Sequence, residues 1–269
     1  MMPLSNKLAE EETIVRKTIV VAGVAALLTA TAFGTTALSQ GKAAPVAPYA
    51  QKAVSDAARP KADTDRDQFR KPAEMLAFAG IKPGTVVAEL IPGGGYFTRI
   101  FTKAVAPGGH VYAFAAAPAA GRPAPGFAAL GTDANYKDNL TVVMGPLDQI
   151  KAPKPVDVVW TSQNYHDMPA ATRGAVNKAV FNILKPGGTY IVLDHSAVLG
   201  TGNYAMDARP ALHRIDENQV KLEVLQAGFK LVGEDDALRN PKDDRTKAVF
   251  DGSIRGDTDQ FVLKFQKPR

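Results

Sequence analysis

From about residue 66 onward, the apolar residues gather into short continuous runs separated by stretches with helical spacing. Short apolar runs bounded by turn residues read as strands buried on both faces. Their alternation with helices predicts a largely parallel sheet covered on both sides. The first helix is expected near Pro72, which suits the first helical position, and carries Met75, Leu76 and Phe78 before stopping at Gly80. Pro83-Gly84 turns the chain into a first strand, residues 85–90, in which Val86, Val87 and Ala88 leave no polar face. A helix over residues 96–105 sets Phe97, Ile100, Phe101 and Ala104 on one side. Pro107-Gly108-Gly109 leads to a second strand, 110–115; residues 139–144 and 156–161 form the third and fourth. The helix expected over 170–184 ends at Pro186-Gly187-Gly188, ahead of a fifth strand, 189–193. Val220, Val224 and Leu225 are spaced for burial in a helix over 216–227, and strands 229–234 and 260–265 follow. The expected fold class is α/β: a doubly wound, mostly parallel seven-stranded sheet with helices on both faces. A charged stretch, residues 235–259, is long for a connection and is a candidate functional loop.

The first residues follow another pattern. Arg16 and Lys17 precede an uncharged apolar run over 18–33, and Ala37-Leu38-Ser39 offers a small-residue cleavage site. That order predicts a signal peptide or an uncleaved N-terminal anchor over residues 1–39, and an exported protein. Residues 40–65, rich in Ala and Lys with Pro45, Pro48 and Pro60, read as a linker to a domain over 66–269.

Composition narrows the chemistry. Of 269 residues, 45% are hydrophobic and 22% charged, which suits one globular domain behind the N-terminal segment. The net charge of +5 is spread among acidic residues, so no basic stripe calls for nucleic acid. The absence of cysteine excludes disulfides, thiolate metal sites and a cysteine nucleophile.

The first strand ends in Glu89-Leu90-Ile91-Pro92-Gly93-Gly94-Gly95-Tyr96. Three glycines where a strand passes into a helix let a ligand approach the backbone closely. This segment resembles the first motif of class I S-adenosylmethionine (SAM) methyltransferases, an acid followed by G-x-G-x-G, with Ile91 in place of the first glycine. Leu184-Lys185-Pro186-Gly187-Gly188 resembles the turn before the fifth strand of that superfamily. A closer likeness, over the whole domain, is to bacterial predicted methyltransferases, many carrying an export signal. It rests on Arg70-Lys71-Pro72-Ala73-Glu74, Tyr165-His166-Asp167, Leu212-His213-Arg214-Ile215-Asp216, Leu238-Arg239-Asn240-Pro241 and Arg255-Gly256-Asp257-Thr258-Asp259, besides the glycine turn.

The resemblance implies SAM as cofactor. Pro92, Gly93, Gly94, Gly95 and Tyr96 would cradle its methionine part and Glu89 its amino group or an ordered water. Asp148 would sit near adenine, with Phe114 and Gln163 in the same cofactor set. The superfamily's ribose-binding acid after strand two is missing, since residues 112–117 read Tyr-Ala-Phe-Ala-Ala-Ala. A buried ribose without that partner loses about 1–3 kcal/mol.

Ligands of open α/β sheets sit beyond the carboxyl ends of the strands, where His166 and His195 fall. His166 is the candidate catalytic base or acceptor-orienting group, with Asp167 fixing its tautomer; the competing reading is a helix cap or a loop hydrogen bond. His195, His213, Arg239 and Arg255 are candidate acceptor-binding residues, the arginines as part of a lid or as a brace between 255–257 and 239–240. His166, Asp167, Asp194 and His195 are ligand types suited to zinc or iron but show no tight spacing signature, so no metal is expected. Trp160 reads as core. The function expected is SAM-dependent methyl transfer to a small-molecule acceptor, the alternative a non-catalytic ligand-binding protein on the same scaffold. Neither needs a nucleic-acid partner, and a membrane enters only through the N-terminal segment.

Overall fold

The computed structural model describes residues 46–201 and 211–269. The signal or anchor expected over 1–39 lies outside them. Among the described residues no helix is long and apolar enough to cross a membrane.

Seven strands form one sheet: β1 (Val86–Leu90), β2 (His110–Ala115), β3 (Leu140–Met144), β4 (Val156–Ser162), β5 (Leu184–His195), β6 (Lys230–Asp235) and β7 (Gln260–Gln266). Their order is β3-β2-β1-β4-β5-β7-β6. The first five pair in parallel, and β7 runs antiparallel between β5 and β6. Strand order reverses between β1 and β4, so a crevice opens there at the carboxyl ends.

Helices α1 (Pro48–Val54), α2 (Lys61–Thr64), α3 (Asp67–Arg70), α4 (Pro72–Ala79) and α5 (Tyr96–Ala104) precede β2, and α6 (Ala170–Ile183) and α7 (Glu217–Gln226) follow β4 and β5. Period-two alternation divides the core. Val87, Trp160 and Ile191 pack with Ala50, Met75, Ile100 and Phe101 on one face of the sheet. Ala88, Leu90, Val159 and Val192 pack with Val180 and Val224 on the other. Trp160 is fully buried, with its ring 4.8 Å from Phe97 and 5.4 Å from Phe101. Such aromatic pairs add about 0.5–1.5 kcal/mol each beyond the area they bury.

Two expectations need correction. Residues 48–65 are not a linker. Pro48 starts α1, whose Ala50 and Ala53 are buried in the core, and Pro60 is the N-cap residue of α2. Alanine here serves close packing of a helix, and proline marks helix starts. The other correction concerns β5, which begins at Leu184 instead of residue 189. Leu184 already pairs with Val156, and a bulge absorbs the Lys-Pro-Gly-Gly turn, with Gly187 at φ 77°.

The connection between β6 and β7 contains no helix or strand. It is held by a bidentate ion pair, Arg214 Nη1 to Asp243 Oδ2 at 2.8 Å and Nη2 to Oδ1 at 3.1 Å, with both side chains buried. The expected brace between residues 239–240 and 255–257 runs through Asn240, whose Nδ2 donates to the Asp257 carbonyl at 2.6 Å.

Candidate functional site

At the end of β1 the backbone turns sharply. Ile91, standing where the methyltransferase motif has glycine, takes a left-handed φ of 51°. A β-branched residue pays about 1–2 kcal/mol for that conformation. Asn164 Nδ2 donates to the Ile91 carbonyl at 2.8 Å, and the Ile91 amide donates to the Phe114 carbonyl at 2.7 Å, which together hold the turn. Pro92 is buried behind it. Gly95 has φ 84°, a conformation that demands glycine, and a Cβ there would lie 2.6 Å from Leu130 Cδ1, which would have to shift. Gly93 and Gly94 instead face open space, with nothing within 4 Å of an added Cβ.

A cleft of about 580 Å3 lies across the switch point, a size suited to a small-molecule ligand. Its walls come from Ile91 after β1, Ala115 at the end of β2 and Ala116 after it, Leu147 and Asp148 after β3, and Asp167 and Met168 after β4. Pro125 adds to the wall, and the next residue but one, Phe127, donates its amide to the Gly93 carbonyl at 3.1 Å. Of the turn after β1, it is Ile91 that lines the cleft. Asp148, expected near adenine, stands on the cleft wall.

Four other residues of the expected cofactor set point elsewhere. Glu89 shares the sheet face of Val87 and is buried against α5, where Thr98 Oγ1 donates to Glu89 Oε2 at 2.6 Å. Burial pushes its carboxyl up to about 8, against the Thr98 hydrogen bond and the charges of Arg70 and Arg99. Tyr96 is buried; its hydroxyl donates to Asp67 Oδ1 at 2.5 Å, and the guanidinium groups of Arg59, Arg66 and Arg70 lie 5.3, 4.9 and 4.6 Å from its ring centre. It clasps the N-terminal helices to α5. Phe114 is core, packed in the layer of Leu90 and Val192. Gln163, at φ 58°, donates from Nε2 to Gln260 Oε1 at 2.8 Å and accepts from Arg70 Nη2, so its amide is spent inside the protein.

Beyond the cleft three histidines meet. The rings of His166 and His195 are 5.9 Å apart and those of His166 and His213 are 5.6 Å apart. His166 follows β4, His195 ends β5, and His213, at φ 54°, precedes α7. The expected tautomer-setting partner is corrected here. His166 Nδ1 donates to Asp194 Oδ1 at 2.7 Å, and Asp194, not Asp167, orients the ring. Asp194 is wholly buried and also accepts the amides of His166 and His195, at 2.8 and 2.7 Å. Asp167 lies on the opposite side, its Oδ1 3.3 Å from His166 Nε2 and 3.3 Å from His213 Nδ1. His166 is no helix cap, since α6 starts after Pro169 without a side-chain cap.

Charge follows from this arrangement. Burial opposes ionisation of His166, but the charge and hydrogen bond of Asp194, then the charge of Asp167, outweigh it and raise its pKa. Burial would raise Asp194, yet the charge and hydrogen bonds of His166 hold it below the usual carboxylate range. Burial takes His195 down to about 3, against the pull of Asp194, so it is neutral, with Nδ1 2.7 Å from Thr258 Oγ1.

The late arginines separate. Arg239 binds Glu217 at 2.5 Å, Ser196 at 3.1 Å and Asp259 at 3.5 Å, which makes it a brace within the loop instead of an acceptor ligand. Arg255 is exposed on a turn whose Gly256 packs against Phe69 of α3. Arg70, at the end of α3, lies between Tyr96 and Gln163 and belongs to the same internal clasp, not to the cleft.

No protein-family model and no curated protein sequence matches the chain. Solved structures do. A SAM-dependent methyltransferase from Aquifex aeolicus superposes with a TM-score of 0.54 at 16% identity, over 75% of this chain and 92% of its own. An arsenic(III) SAM methyltransferase from Chlamydomonas reinhardtii gives 0.52 at 16%, over 82% of this chain and 74% of its own. The [4+2]-cyclase SpnF gives 0.52 at 15%, over 77% and 81%. The seven-stranded, mostly parallel sheet with its flanking helices is the class I SAM methyltransferase fold.

Proposed function

We propose that this chain is a SAM-dependent methyltransferase acting on a small-molecule acceptor. The observation that carries the reading is the cleft at the switch point, walled by Ile91 at the head of the glycine turn and by Asp167 after β4. Its residues fit the adenosine part of SAM: Ile91, Leu147 and Met168 offer apolar surface to a flat ring, and the Asp148 carboxylate offers an acceptor for an amino group. The open backbone at Gly93 and Gly94 suits the methionine part. SAM, when bound, supplies an activated methyl group for in-line displacement, a reaction helped chiefly by positioning. Asp167 belongs both to the cleft and to the histidine group, so the acceptor is assigned to the part of the cleft beside Asp167.

Calorimetric titration of the purified protein with SAM and S-adenosylhomocysteine tests this. Micromolar binding is expected, and Gly94→Leu should abolish it with little change in Tm, because a Cβ added there meets no protein atom within 4 Å. Absence of binding at millimolar ligand would remove SAM from the account.

The second reading is a non-catalytic ligand-binding protein. It is favoured by the wall of Ala115 and Ala116, which offers no carboxylate to a ribose. The cyclase among the structural neighbours also warns that this fold does not fix a reaction. We further propose that residues 1–39 direct export, possession of which predicts recovery of a C-terminally tagged chain outside the cytoplasmic fraction.

A further inference from the structure

We propose that His166, Asp167 and His213 form a binding site for a divalent transition-metal ion. The three side chains offer His166 Nε2, Asp167 Oδ1 and His213 Nδ1, all within 4.8 Å of one another. Two of the three separations are 3.3 Å. An ion about 2.0–2.1 Å from each ligand in tetrahedral geometry sets neighbouring ligand atoms about 3.3 Å apart. The donor set is two imidazoles and one carboxylate. It suits zinc, iron(II) or cobalt(II), and lacks the several oxygen ligands that calcium or magnesium require.

The surroundings of the ligands support the assignment independently. A metal-bound imidazole ordinarily gives its other N–H to a carboxylate or carbonyl, which fixes the tautomer. His166 does this: its Nδ1 donates to Asp194 at 2.7 Å, leaving the Nε2 lone pair directed toward Asp167 and His213. Asp194 is itself locked by two backbone amides, those of His166 and His195. His213 is held against the Phe250 ring, with 4.9 Å between centres, in a left-handed backbone conformation that turns it toward the cluster. Three residues from two separate connections converge on one point, with one of them already oriented as a ligand.

Asp167 is also part of the cleft wall, so an ion in this site borders the cleft. If the methyltransferase reading holds, the ion stands beside the acceptor, where a Lewis acid favours acceptors that coordinate through oxygen or nitrogen. Metal binding itself does not depend on that reading.

The competing arrangement is metal-free, with His166 protonated and clamped between Asp194 and Asp167. Titration of the purified protein with Co2+, read by visible d–d absorption, and with Zn2+, read by competition with a chromophoric chelator, separates the two. SAM is left out, so the result is independent of cofactor binding. One equivalent of ion is expected to bind, with ligand-field bands of low coordination number in the cobalt form. His213→Ala and Asp167→Asn, both at partly exposed positions, should each lose more affinity than the roughly 10–100-fold that loss of an outer partner costs. His110→Ala alters the one histidine remote from the cluster of His166, His195 and His213 and should bind normally. Asp194→Asn should lower affinity about 10–100-fold as a positioning residue, with cobalt bands that shift but persist. Near-UV circular dichroism of each metal-free variant checks that it folds. The proposal is overturned if wild type binds no stoichiometric ion, or if folded His213→Ala binds as tightly as wild type. SAM binding without metal binding sinks this inference alone; metal binding without SAM binding sinks only the methyltransferase reading.

Discussion

Glu89 provides the most stringent physical test of the fold. Its carboxyl lies on the α5 side of β1, 2% exposed, with Thr98 as its hydrogen-bond donor. Burial lifts its pKa from the ordinary 4.5 to about 8. A folded pKa above the unfolded one means that the native state keeps a proton that the unfolded chain releases. Stability from this group is therefore full below about pH 4.5 and falls as pH rises to about 8. The loss is about 1.4 kcal/mol for each pH unit in that window, or on the order of 4 kcal/mol by pH 8. Arg70 and Arg99 already act against the shift, so their attraction is contained in it. Glu89→Gln removes the titration while keeping an acceptor for Thr98. At pH 5 the variant should match wild type, or fall about 1 kcal/mol below it because the buried amide brings one more donor. Near pH 8 it should be more stable by several kcal/mol. With a urea m-value of about 3 kcal/mol/M, 4 kcal/mol moves the midpoint by about 1.3 M. Urea unfolding of both proteins across this range, with m constant, makes the measurement. Parallel stability curves would refute the placement of Glu89 in a closed, apolar setting.

Three further outcomes follow from particular contacts. Gly95→Ala combines a φ of 84° with a Cβ 2.6 Å from Leu130 Cδ1, so it should destabilise by about 2–4 kcal/mol in urea melts. Asp243→Asn weakens the buried pair with Arg214 and should cost about 3–5 kcal/mol, with faster amide exchange concentrated in residues 236–259. Tyr96→Phe removes the donor to Asp67; a loss of about 1 kcal/mol and faster exchange in α1–α3, with β1–β5 unchanged, is expected.

The first five strands were legible because each contains a short apolar run with a glycine or proline at one end, and the order of such runs is sufficient for a doubly wound sheet. The glycine turn was legible as motif, but its side-chain directions were not. A linear motif sets Glu89 beside the glycines, yet strand alternation sends it to the face of Val87, against α5. Phe114 failed for a similar reason, pointing into the core between sheet and α6. The Ala- and Pro-rich stretch before residue 66 resembled a linker because small residues that let a helix lie close look, in composition, like residues that avoid structure. The histidine group was half legible. His166 and His195 could be brought together from neighbouring strands, whereas Asp167 and His213 are 46 residues apart and meet through a backbone path that no local pattern reveals. Likewise, nothing in the spacing of His166 and Asp194, 28 residues apart, distinguishes a ring-orienting carboxylate from a ligand.

The antiparallel strand β7 has a consequence for how the chain acquires its structure. It is the last of the seven strands in chain order, yet it lies inside the sheet, hydrogen-bonded to β5 along one edge and to β6 along the other. A nascent chain that has not yet produced Gln260–Gln266 leaves β5 with an unpaired edge and gives β6 no neighbour in the sheet. Synthesis runs from β1 toward β7, but the sheet can close only when its keystone arrives. The final packed state is thus postponed until almost all of the described chain is out of the ribosome, and a chain interrupted before β7 is open to pairing with other unfinished copies of itself.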